Sequence, residues 1–219
     1  MVRTSRTQSL LTWLPATILL VVIAGVVFAT VAVQNSWWAE DAPAASVDQK
    51  ASDGSTMLTD AGFDYANVEG IVRVRIGEGG LSAAELGLPE NGEKTAEFRR
   101  PLRAVIAGRD DVYVVDDIAT LTARSEDDRL ASVTLRFDVV STWSDGLNTL
   151  RRHAEKFGWD RAEIDELDEQ LAEFNREGEG DTFTASVTSD DGGATVTGVL
   201  VFDRASGATP VFVEFTPAP

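Results

Sequence analysis

The sequence predicts an α+β protein: a single N-terminal transmembrane helix followed by an exported domain, in which a mainly antiparallel sheet carries a two-helix hairpin on one face. Three observations lead there. A 24-residue apolar run lies near the start, short runs of alternating apolar and polar residues recur later, and two adjacent segments of helical periodicity split those runs into two groups.

The first element is the run from Leu10 to Val33, LLTWLPATILLVVIAGVVFATVAV. At 1.5 Å per residue it can cross a hydrocarbon layer of about 30 Å. Trp13 lies at one end and Trp37 and Trp38 at the other, where amphipathic rings favour the headgroup level. Arg3 and Arg6 precede the run, and Glu40 and Asp41 follow it, so residues 1–9 form a short cytoplasmic tail and the C-terminal part lies outside. The run is longer than the h-region of a signal peptide, which favours an uncleaved single-pass anchor in the cell membrane; cleavage would make the protein secreted. Gly25 and Ala29 form a small-xxx-small spacing at which two membrane helices could touch.

Residues 34–66 are rich in Ala, Ser and Asp and show no sustained period, so they are expected to form a flexible acidic linker. From residue 67 to 219 the pattern is that of an extracytoplasmic α+β domain. Val72, Val74 and Ile76 alternate with Arg73 and Arg75 in a first strand. Ser82 and Glu85 have capping-box spacing after a glycine-rich turn, Gly77-Glu78-Gly79-Gly80. That stretch approaches a dinucleotide fingerprint, but Ser82 stands where the third glycine would be.

Leu102 to Ala107 reads as a strand with Pro101 at its first position or on an edge. Residues 118–124 and 132–139 read as a hairpin turning through Ser125-Glu126-Asp127-Asp128. Leu147, Leu150, Ala154 and Phe157 then recur at helical spacing, with Gly158 as the stop. A second helix follows, with Asp160 and Glu163 as a capping box, Trp159 and Ile164 as a staple, and Ile164, Leu167, Leu171 and Phe174 as its apolar stripe up to Gly178. Three more strands close the chain: residues 183–187, 196–202 and 211–215.

Composition narrows the function classes. The chain has 219 residues, 43% of them apolar, enough for a full core. It has no cysteine, which excludes disulfide scaffolds, thiolate metal sites and cysteine nucleophiles. All 36 acidic residues and 17 of the 19 basic ones lie after residue 39, a balance of −19 there, so nucleic acid is not expected as a partner.

Candidate chemistry is sparse. There is no nucleophile elbow, phosphate loop, HExxH or EF-hand pattern, so no catalytic, cofactor-binding or metal residue is assigned. His153, the lone histidine, falls beside an apolar helical face and reads as a packing residue. Asp110-Asp111, Asp116-Asp117, Asp127-Asp128 and Asp190-Asp191 read as turn acids, and Arg99, Arg100 and Arg103 beside Glu97 as a salt-bridged strand edge.

Glu166, Glu169, Glu173 and Glu177 step along one ridge of the second helix, an acidic surface suited to a basic protein partner or to weakly held divalent cations. The function expected is a binding or scaffolding module in the cell envelope, held to the membrane through residues 10–33. The alternatives are an exported carboxylate-based hydrolase such as a glycosidase, and a domain whose interactions depend on divalent cations.

Overall fold

The computed structural model describes residues 54–77, 80–138, 142–190 and 193–217. The expected membrane span at 10–33, with Gly25 and Ala29, lies outside the described residues. No helix among the described residues is long and apolar enough to cross a membrane.

The chain forms an α+β domain dominated by one seven-stranded sheet. Its strands are β1 (Ile71–Arg75), β2 (Gly92–Ala107), β3 (Val112–Glu126), β4 (Arg129–Phe137), β5 (Thr182–Ser189), β6 (Ala194–Asp203) and β7 (Val211–Pro217). Their order is β1-β2-β3-β4-β7-β6-β5. Two antiparallel meanders, β2–β4 and β5–β7, meet where β4 pairs with β7. The exception to antiparallel pairing is β1, which runs parallel to β2. The connection between them, residues 76–91, contains the short helix α2 (Ala83–Leu86) and is long enough for the crossover that parallel pairing requires.

Strand alternation sorts the two faces. Across six strands in register, Ala96, Leu121, Leu135, Val213, Gly198 and Val187 make one buried row. One residue away on each strand, Thr95, Thr122, Thr134, Glu214, Thr197 and Thr188 make a row on the open face. Polar β-branched side chains suit that position because they fit the pleat and tolerate water.

Over β6 and β5 the buried face is covered by α3 (Trp143–Phe157) and α4 (Arg161–Glu177), while its β1–β2 end is packed by the helix at Asp60–Glu69, whose Phe63 meets Phe98. Leu147, Leu150, Ala154 and Phe157 are all buried, as are Ile164, Leu167 and Leu171. Gly158 ends α3 in the left-handed region, φ 70°. Trp159 then packs its ring on Gly198 and donates from Nε1 to the Val196 carbonyl at 2.9 Å. At α4 the side chain of Asp160 accepts from Ala162 N, so the cap is present, but the reciprocal bond from Glu163 that a capping box needs is not formed. The complete boxes are Ser82 with Glu85 at α2 and Thr142 with Asp145 at α3.

The N-terminal boundary differs from expectation. Residues 54–66, assigned by sequence to the linker, belong to the packed domain and contain most of α1 (Asp60–Glu69). Thr59 caps this helix by accepting from Gly62 N, Gly70 closes it at φ 76°, and Leu58, Phe63 and Ala66 are buried. Phe63 and Ala66 are the only buried apolar side chains among its ten residues, too few for a recognisable stripe.

Pro101 also differs. It lies inside β2, where pairing with β3 is interrupted between Glu97 and Leu102, so its missing N–H interrupts no ladder bond to β3. Asp117 on the facing strand has φ 61°. These irregularities interrupt the β2–β3 ladder midway, and the tip of the hairpin lies against the β5–β6 turn. A Cβ added at Gly193 would lie 2.7 Å from that of Arg109. Near the tip, Tyr113 packs on Phe215 and Phe157, and Lys156 donates to the Val114 carbonyl.

Candidate functional site

A cleft of about 770 Å³ lies where four separate pieces of chain converge. Arg75 and Gly77 come from the end of β1, Ser82 and Glu85 from α2, Arg109 from the β2–β3 turn, and Asp127 to Leu130 from the β3–β4 turn, with Gly193 and Pro217 closing one side.

Local rules build its walls. Asp127 and Asp128 sit at φ 52° and 56°, the doubly left-handed turn that connects two adjacent antiparallel strands with the correct twist. Asp128 then holds α2: its carbonyl accepts from Ala83 N and its Oδ1 from Ala84 N, each at 2.9 Å. Glu85 accepts from Ser82 N at 2.9 Å. Two of the three cleft carboxylates are therefore committed to backbone N–H groups, and only Asp127 accepts no such bond from a described residue. Arg75, Arg109 and Arg129 bring three guanidinium groups to the same cleft. Their separation in sequence hid this grouping, because no local spacing joins residues 75, 109 and 129.

The sequence-designated residues fall elsewhere. Glu166, Glu169, Glu173 and Glu177 are all exposed on α4. Among the described residues no group of three His, Asp or Glu side chains could hold a metal ion. His153 stacks on Phe157 at 5.7 Å, approaches Phe137 at 5.1 Å and has Nδ1 2.9 Å from the Thr149 carbonyl. Burial among these rings pushes its pKa below 6.5, partly offset by the Thr149 bond. Trp143 packs against Phe183 and Phe202 and donates to Asp168, so its ring face, like that of Trp159, is used in packing.

The arginine group is tied into the fold through partners other than Glu97. Arg103 meets Asp116 at 2.6 Å, Arg99 reaches Asp64 at 3.4 Å, and Arg100 reaches the carbonyls of Asn67 and Val68 near the C-terminus of α1. Of these, Arg103 and Asp116 border, together with Arg73 and Glu69, a second depression of about 530 Å³.

Compared with family models, with curated proteins and with solved structures, the chain matches none of them.

Proposed function

We propose that this chain is a single-pass membrane protein of the cell envelope, anchored through residues 10–33, whose extracytoplasmic domain acts by binding or scaffolding other proteins. The observation that carries this reading is the state of the groups able to do chemistry. Glu85 and Asp128 in the cleft hold α2, Asp116 and Asp190 engage Arg103 and Thr195, and the one histidine is set among phenyl rings. General acid–base or nucleophilic catalysis needs two or three such groups aimed at one point. Recognition needs shape and charge, which the cleft and the exposed α4 ridge offer.

Photo-crosslinking side chains at Arg129 in the cleft and Glu173 on the ridge, in the full chain in its own membrane, test the reading. A discrete protein adduct from either position is expected. Absence of adducts at both, together with hydrolysis of chromogenic glycosides that Glu85→Gln abolishes, would replace the reading with a carboxylate hydrolase.

A further inference from the structure

The two edges of the sheet are treated differently. At one, β1 is five residues long, carries Arg73 and Arg75, and has its outer side occupied. Thr56 N donates to the Arg73 carbonyl at 2.7 Å, and Arg73 N donates to Thr56 Oγ1 at 3.0 Å. The segment preceding α1 thus covers that edge.

At the other edge, β5 reads TFTASVTS: eight residues without a charge, a proline or a glycine, in a chain with 25% charged residues. Its pairing with β6 is unbroken from Thr182↔Asp203 to Ser189↔Val196, so no bulge twists it away. An antiparallel strand gives alternate N–H and C=O groups to each side, and among the described residues no strand takes the outer set of β5. Thr182, Thr184, Ser186 and Thr188 are exposed along it. Charges, proline, bulges, shortness and covering segments are the usual protections of an edge, and among the described residues β5 has none of them.

The surroundings select the occupant. Helix α4 lies over β5, with Phe174 stacked on Phe183 at 5.1 Å. Asp165 and Asp168 face α3 through Arg151 and Trp143, so at 100° per residue Glu163, Glu166, Gln170 and Glu177 fall on the flank turned away from α3. Glu179 and Asp181 lead into the strand and Asp190 leaves it. Arg204, beside the end of α4, is already engaged with the Phe174 and Gly178 carbonyls. The open edge is therefore framed by acid. A second copy in the centred antiparallel register would set Asp181 against Asp190 at both ends, which disfavours self-pairing.

We propose that the outer edge of β5 receives an extended, lysine- or arginine-bearing segment of a partner protein, which adds to the sheet as its next strand. Backbone hydrogen bonds would supply the attachment and the acidic border the selectivity, as in other strand-addition complexes. This rests on the binding-module reading and names the site and the chemistry of its partner.

The test uses the full chain in detergent micelles and two short synthetic peptides, one alternating lysine with valine and threonine, the other with glutamate in place of lysine. The lysine peptide is expected to slow hydrogen exchange within residues 182–189, and the glutamate peptide to leave it unchanged. Thr184→Lys combined with Ser186→Lys should weaken lysine-peptide binding about tenfold or more while the thermal midpoint stays constant. Glu163→Gln, Glu166→Gln and Glu177→Gln together should do the same without touching β5. Lysine-peptide binding that leaves 182–189 unprotected, or no binding, would overturn the proposal. So would protection that grows with protein concentration alone, which assigns the edge to a second copy. Crosslinked partners in the membrane with no effect at β5 would defeat this inference and leave the broader reading standing.

Discussion

At the scale of single residues, His153 shows how packing decides what a titratable group can do. Its folded pKa lies below 6.5 because burial disfavours the imidazolium, so between that value and 6.5 the unfolded chain binds more protons. The stability it contributes is complete above about pH 6.5 and is lost as pH falls through the window. His153→Gln removes this titration along with the ring contacts to Phe137 and Phe157, at a cost of about 1 kcal/mol at neutral pH. The urea midpoints of the two proteins should therefore converge between about pH 7.5 and pH 5.5. Parallel curves would show that His153 is not the group responsible. The packing role was legible in the sequence, because position 153 adjoins the Leu150–Ala154–Phe157 stripe. The rings that lower its pKa were only half legible: Phe157 is one turn away, whereas Phe137 comes from β4.

At the scale of elements, what could be read was whatever a local period or a cap encodes. The alternation in β3 and β4 and the acidic turn between them were visible, and Asp tolerates the left-handed conformation that this turn imposes. The Ser82–Glu85 box was visible for the same reason. Helix α1 was hidden because its stability comes from what Leu58, Phe63 and Ala66 bury rather than from a stripe, and the parallel placement of β1 depends on a crossover that no residue pattern marks. The seat of α3 and α4 on the sheet turns on Gly198, the one glycine in the buried row. A methyl group there would lie 2.7 and 2.8 Å from atoms of the Trp159 ring and 2.9 Å from Leu150 Cδ2. The ring is held by its bond to Val196 and cannot simply rotate away. Gly198→Ala should therefore destabilise the domain by about 1–3 kcal/mol. Thr197→Val, on the open face next to it, should change stability by less than about 0.5 kcal/mol. Equal urea midpoints for the two variants would mean that the helix pair does not depend on this close approach.

At the scale of the whole molecule, the charge balance sets how the domain responds to its medium. The segment after residue 39 carries −19, and the ion pairs that partly offset it are on the surface, among them Arg73–Glu69, Arg99–Asp64, Arg103–Asp116 and Arg151–Asp165. Exposed pairs of this kind contribute about 0–1 kcal/mol each and weaken with salt. Repulsion among the surplus acids acts the other way and over longer range, since the screening length falls from about 30 Å at 10 mM salt to about 10 Å at 100 mM. The surplus exceeds the pairing, so screening should stabilise the fold. Raising sodium chloride from about 10 to 100 mM should add about 1 kcal/mol, read as a rise of about 2–4 °C in the midpoint of the sheet's far-UV signal. Calcium chloride at matched ionic strength should give the same rise, because among the described residues no three carboxylates gather into a cation site. A further increase specific to calcium would mean that the acidic ridge at Glu166, Glu169, Glu173 and Glu177 holds the ion in solution, and would move the protein to a cation-dependent interaction domain. A midpoint that falls with salt would show that the surface pairs, not the surplus acids, dominate the electrostatics of the folded state.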